Sequence, residues 1–135
     1  MSPSYLMALD VGERRIGVAI SSTIAKVASP FDAIINDDKV FDTIESLIDQ
    51  NNIGAIIVGL PRNMQGEETK QSEYVRGFIT RLKQNTLLPV VLQDESLTSV
   101  HAEEHLKESK KTYSKGQIDS ESAVIILNDY IREKL

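Results

Sequence analysis

A mixed α/β fold, with a hairpin-built sheet extended by parallel strands and flanked by helices, is what this sequence predicts. Three short apolar runs follow one another closely at the N-terminus, as in a β-meander. Two later apolar runs without alternation are joined through a segment of helical period, which makes a parallel crossover. Glycines fall mostly at the ends of these runs, which sets the boundaries.

Taken in order, Tyr5 to Leu9 reads as the first strand and Asp10-Val11-Gly12-Glu13-Arg14 as a turn. Ile16 to Ile20 and a run around Lys26 to Ile34 give the second and third strands. The period then changes. Phe41, Ile44, Leu47 and Ile48 share a helical face, with Asp37 and Asp38 placed to cap its start. Asn51-Asn52 breaks that helix, and Ile53 to Val58 is a strand covered on both faces that ends at Gly59-Leu60-Pro61. Val75, Phe78, Ile79 and Leu82 make the next helical stripe, and Leu88 to Leu92 the last strand. A short helix near Ser99 to Glu108 and a polar loop from Ser109 to Gln117 precede a closing helix with Ala123, Ile126, Leu127, Tyr130 and Ile131 inward. The order is βββ-α-β-α-β-α-α.

Length and composition bound the function. A chain of 135 residues has enough material for one core, so a single domain over residues 1–135 is expected. The absence of cysteine removes disulfides, thiolate nucleophiles and Cys-ligated zinc, leaving oxygen and imidazole groups to do any chemistry. No basic segment precedes the first apolar run, and the longest uncharged apolar stretch, Ile53 to Pro61, is far short of the roughly 20 residues that span a bilayer. A soluble cytoplasmic protein with no membrane partner is expected. The net charge of −5 argues against nucleic-acid binding by bulk charge, yet acidic clusters that hold divalent cations are negative themselves.

Candidate chemistry lies at the C-terminal ends of the sheet strands, the usual site in open α/β sheets. Asp10 ends the first strand, Asp94 and Glu95 the last, and Asp119 stands at the start of the closing helix. If Ile53 to Val58 lies between the first and last strands, Asp10 and Glu95 sit two strand spacings apart, roughly 10 Å. That distance lets carboxylates bracket hard cations, Mg²⁺ or Mn²⁺, for phosphoryl chemistry. Each acid alone also has a structural explanation: Asp10 opens a turn, Asp94 and Glu95 end a strand, and Asp119 suits an N-cap. Arg14 and Arg15 follow Asp10, and the segment Lys107 to Gly116 carries four lysines, Lys110 and Lys111 among them, against one glutamate. Such cations beside an acidic site suit a phosphodiester. His101-Ala102-Glu103-Glu104-His105 matches a short zinc-protease string, but no third histidine completes it and an exposed helix face accounts for both. Nucleotide-hydrolase and serine-hydrolase loops are absent.

Four segments in order carry a resemblance. They are Asp10-Val11-Gly12-Glu13-Arg14-Arg15-Ile16-Gly17-Val18-Ala19, then Val58-Gly59-Leu60-Pro61 with Asn63-Met64 and Gly66, then Asp94-Glu95 with Leu97-Thr98, and Asp119 with Ala123, Ile125, Ile126 and Leu127. Together the chain resembles the YqgF/RuvX family of Holliday-junction-resolvase-like proteins, also described as nucleases of pre-16S rRNA. The resemblance implies an RNase H-like fold, a mixed five-stranded sheet of three antiparallel strands plus two parallel ones. It further implies a metal-dependent endonuclease acting on structured RNA or branched DNA, with Asp10, Glu95 and Asp119 as catalytic and metal-binding acids and Asp94 as a weaker fourth. Arg14, Arg15, Asn63, Lys110 and Lys111 are the candidate nucleic-acid contacts, Asn63 being equally suited to building a turn. The family usually has arginine where Ser96 stands, and alanine is common where Ser122 stands. The Ser96 difference supports an alternative, a nucleic-acid- or ribosome-associated factor that keeps the fold without activity. A third reading, a sugar-kinase or actin-type module, needs two such domains. Both a monomer and a homodimer are compatible with the sequence.

Overall fold

The computed structural model describes residues 4–96 and 115–135. The elements are β1 (Tyr5–Val11), β2 (Arg15–Ser22), β3 (Ser29–Ile35), α1 (Val40–Asn51), β4 (Ile53–Arg62), α2 (Lys70–Asn85), β5 (Val90–Ser96) and α3 (Lys115–Lys134). The five strands form one sheet in the order β3-β2-β1-β4-β5. β1 is antiparallel to β2 and β2 to β3, while β4 runs parallel to both β1 and β5. Over the described residues the predicted order of strands and helices and the mixed sheet stand, and β4 lies between β1 and β5.

Strand parity sorts the two faces. Met7, Leu9 and Val11 of β1, with Ile56, Val58 and Leu60 of β4, pack against Val40 and Ile44 of α1 and Val75, Phe78, Ile79 and Leu82 of α2. Leu6 and Ala8, with Ala19 and Ile57, face Ala123, Ile126, Leu127 and Ile131 of α3. Burying each large aliphatic side chain on these faces contributes roughly 1.5–3 kcal/mol. The α3 face of the sheet carries small residues among its aliphatic ones. A Cβ on Gly17 would lie 1.8 Å from the Asp119 carbonyl oxygen, and one on Gly59 would meet the Ile126 side chain at 2.4 Å. Glycine at these two positions lets α3 lie almost on the backbone of the sheet.

Several boundaries differ from the sequence reading, each for a local reason. β1 continues through Asp10 to Val11, because Asp10 and Val11 keep their pairing with Gly17 and Ile16. β4 runs on to Arg62 because β5 pairs with it as far as Ser96. Pro61 is tolerated there since β4 has already passed the end of its pairing with β1 at Leu9–Val58. Gly59 is thus a packing residue inside a strand; only Gly66 has a positive φ among the described glycines, at a turn that needs it. The third strand starts at Ser29, since Lys26 takes a left-handed conformation in the preceding turn. α1 begins without a side-chain cap: Asp37 Oδ1 instead accepts from the Lys39 amide, one residue early. Asn52 ends that helix in the left-handed conformation, as its position suggested. The predicted helix near Ser99 to Glu108, both histidines, and Lys110 and Lys111 lie outside the described residues.

Candidate active site

Parity and helix approach together assemble the site. Asp10 follows Leu6 and Ala8 on the α3 face of β1. On β5, Val90 and Leu92 belong to the α1/α2 face and Val91 to the α3 face. Glu95 therefore shares the α3 face with Asp10, and Asp94 does not. Asp94 instead pairs with Arg62 at 3.1 Å and is 60% exposed. This separates the less certain fourth acid from the other three.

Asp119 lies inside α3, past its first turn, so it is not the N-cap that its sequence position allowed. The contact at Gly17 fixes it: β1 residue Asp10 pairs with Gly17, and Asp119 rests on Gly17. Asp10 and Asp119 consequently stand close enough to repel each other. Burial, first, and the Asp119 charge, second, push the Asp10 carboxyl up to about 7, while a hydrogen bond from Ser122 opposes the rise. Ser122 is fully buried one helical turn beyond Asp119, on the same face of α3. The Asp119 carboxyl is also raised, chiefly by burial, against the lowering effect of Arg15. Arg15 Nε donates to Asp119 Oδ2 at 3.1 Å.

Glu95 completes the face but stands farther off. Leu9 aligns with Val58 and Val58 with Leu92, so Asp10 is level with Gln93 and Glu95 lies two residues beyond. Two spacings across and two residues along give about 12 Å between Cα atoms, more than the roughly 10 Å expected without the stagger. Among the described residues, no group of three or more Asp, Glu or His is gathered so as to hold a metal. The Asp10–Asp119 pair nonetheless fits a hard divalent cation: its donors are all oxygen, and a cation would offset the burial and the repulsion that raise the Asp10 carboxyl.

The turn that carries Arg14 and Arg15 is held from both sides. Asn36 Nδ2 donates to the Gly12 carbonyl at 2.8 Å, the Asn36 amide to the Arg14 carbonyl at 2.9 Å, and Gln71 Nε2 to the Val11 carbonyl at 3.0 Å. Arg14 is exposed at its tip. Asn63 is committed elsewhere: its Oδ1 accepts from the Gln65 and Glu67 amides at 3.0 and 2.9 Å, and its Nδ2 donates to Glu67 Oε1 at 3.3 Å. Those bonds build the loop after β4. Sequence reasoning missed Gly17, although a lone glycine inside the apolar run Ile16–Ile20 is a signal of close backbone approach. It also missed Arg62, which stands in register with Ser96 and places a cation on the neighbouring strand.

A mixed five-stranded sheet in this order, with two acids joined across its centre by a helix lying on one face, defines an RNase H-like fold with an acidic site at the sheet's carboxyl edge. Solved structures agree on the fold. Thermus thermophilus RuvC in complex with a Holliday junction superposes with a TM-score of 0.56 at 9% identity, covering 97% of this chain and 96% of that one. The Fowlpox virus resolvase superposes with a TM-score of 0.55 at 14% identity, covering 97% and 99%. The chain belongs to the RuvX family, described as Holliday junction resolvase, whose model matches residues 4–133. Curated relatives include a protein of Sulfurihydrogenibium sp. that is 41% identical over 130 residues, covering 95% of this chain and 90% of the relative. Another, from Chloroflexus aurantiacus, is 41% identical over 135 residues, covering 97% and 88%. Both are named "Putative pre-16S rRNA nuclease". The family resemblance read from the sequence and the mixed-sheet fold it implied are thereby borne out.

Proposed function

We propose that this chain is a metal-dependent endonuclease that hydrolyses phosphodiester bonds at the 5′ end of pre-16S rRNA, acting in the cytoplasm. The observation that carries the reading is the partly buried Asp10–Asp119 pair, on one face of the sheet with Glu95 across β4. Two carboxyls held together at the cost of a raised pKa make poor structural elements and good cation ligands. Mg²⁺ or Mn²⁺ held by Asp10 and Asp119, with Glu95 on the far side, would supply charge neutralisation and an acidified water.

The chain's own residues do the rest. β1 and α3 fix Asp10 and Asp119 through the Gly17 contact, so the two carboxyls need little reorganisation. Ser122 hydrogen-bonds the Asp10 carboxyl and favours its charged form. Arg14, on a turn braced by Asn36 and Gln71, is the candidate contact for a backbone phosphate, and the sequence offers Lys110 and Lys111 as further ones. The RNA substrate follows from the names of the curated relatives, which are closer in sequence than the two resolvases.

The test is cleavage of a precursor 16S RNA with its 5′ leader, and of a four-way DNA junction, each in Mg²⁺ or Mn²⁺. Cleavage of the leader with the junction intact is expected. Cleavage of the junction alone would replace RNA by branched DNA as the substrate, and no cleavage of either would favour the non-catalytic factor.

A further inference from the structure

Arg15 occupies an unusual position for a phosphate contact. Its Nε reaches Asp119 Oδ2 at 3.1 Å, tying the first residue of β2 to a helix more than a hundred positions later. The two partners differ in freedom. Asp119 is pinned, because its carbonyl lies against Gly17 and the neighbouring Ser120 hydroxyl bridges the Val18 amide at 3.5 Å and the Phe31 carbonyl at 2.6 Å. Arg15 is a long side chain 35% exposed, so it is the partner able to leave.

Where it would go is also visible. Arg15 lines two concavities, a recess at the β1–β2 turn shared with Arg14, Gln71 and Asp119, and a cleft between β3 and α3 beside Asp32 and Glu121. A rotation about its side-chain bonds therefore frees Asp119 while the guanidinium stays at the rim of the site. A guanidinium and a divalent cation on the same carboxylate repel each other and draw on the same negative charge, so each weakens the other's hold on Asp119. The guanidinium fork, once released, matches phosphate oxygens bidentately.

We propose that Arg15 is an internal competitor for the cation: it holds Asp119 while the metal is absent, and moves to a substrate phosphate when a divalent cation takes Asp119. The inference rests on the nuclease reading and adds an ordered exchange to it. It gives one side chain two effects of opposite sign, which a purely structural ion pair would not have.

The experiment uses the full chain and Arg15→Gln, with Mn²⁺ alone titrated by the loss of its free electron paramagnetic resonance signal. Arg15→Gln is expected to bind Mn²⁺ roughly 3- to 10-fold tighter, the scale of a half-exposed ion pair removed from competition. Binding of a short precursor-leader RNA is then compared in Ca²⁺ and in EDTA. The substitution is expected to weaken RNA binding roughly 3- to 10-fold in Ca²⁺ and by much less in EDTA, where Arg15 is already engaged. Arg15→Lys keeps the charge without the fork and should fall between; it carries the test if the Gln variant does not fold. Unchanged or weaker Mn²⁺ binding would overturn the exchange and leave Arg15 as a brace for Asp119. An equal RNA loss in both conditions would also overturn it. A wild-type protein that binds no Mn²⁺ would instead contradict the nuclease reading itself.

Discussion

Asp10 carries the most information of any single residue. Its carboxyl is raised to about 7 by burial and by Asp119, so below neutral pH the metal-free protein holds a proton that the unfolded chain has already released. The sign follows from linkage: a folded pKa above the unfolded one gives a stabilising contribution that is present below about pH 4 and is lost as pH rises through about 7. In EDTA, the unfolding temperature of the wild type should therefore fall between pH 5 and pH 8. Asp10→Asn should flatten that fall and melt higher than the wild type at pH 8, by roughly 3–10 °C for a chain of this size. A wild type that melts at the same temperature at both pH values would count against the buried pair. Ser122 acts on the same carboxyl. Ser122→Ala removes the hydrogen bond that opposes the rise, so the Asp10 carboxyl resonance should titrate at a higher pH and the melting temperature at pH 8 should fall.

At the scale of elements, the site depends on how closely α3 lies on β2. Gly17→Ala drives a Cβ into a backbone carbonyl of α3, which can yield only by shifting the helix, whereas Gly59→Ala meets the far end of the Ile126 side chain. Gly17→Ala should cost upwards of about 3 kcal/mol and scatter Asp119 from Asp10, while Gly59→Ala should cost less, roughly 1–2 kcal/mol, in a urea titration. Equal losses would contradict the geometry. The same contact explains what was legible in the sequence. The strand and helix order over the described residues could be read because apolar period is a local signal, and Asp10, Glu95 and Asp119 could be named as candidates because acids at the carboxyl edge of a sheet are a sequence-visible pattern. Asp94 and Glu95, adjacent in sequence, could not be told apart until the pairing of β5 with β4 fixed their parity. The stagger that sets Glu95 farther from Asp10 is likewise a property of register, which no window of sequence contains. Asn63 was readable as turn or ligand, and the loop after β4 uses its side chain internally.

For the molecule as a whole, charge is distributed against its total. The net charge is −5, yet Arg14, Arg15 and Arg62 lie near the carboxyl edge where the acids stand, and the lysine-rich segment precedes α3 in sequence. Binding of nucleic acid should therefore be steeply salt-dependent despite the acidic composition. Arg14→Ala combined with Lys110→Ala and Lys111→Ala should lower the salt slope by roughly 1–3 and weaken binding similarly on RNAs of different sequence, as phosphate contacts do. A loss confined to one sequence would assign these residues to base reading instead.

Whether the paired carboxyls perform the proposed chemistry is decided by Mg²⁺-dependent cleavage of precursor 16S RNA, measured for the wild type and for Asp10→Asn. A folded Asp10→Asn protein is expected, with its cleavage rate down at least about 100-fold while its RNA affinity in EDTA is nearly unchanged. Cleavage by Asp10→Asn at the wild-type rate would contradict that role of the pair.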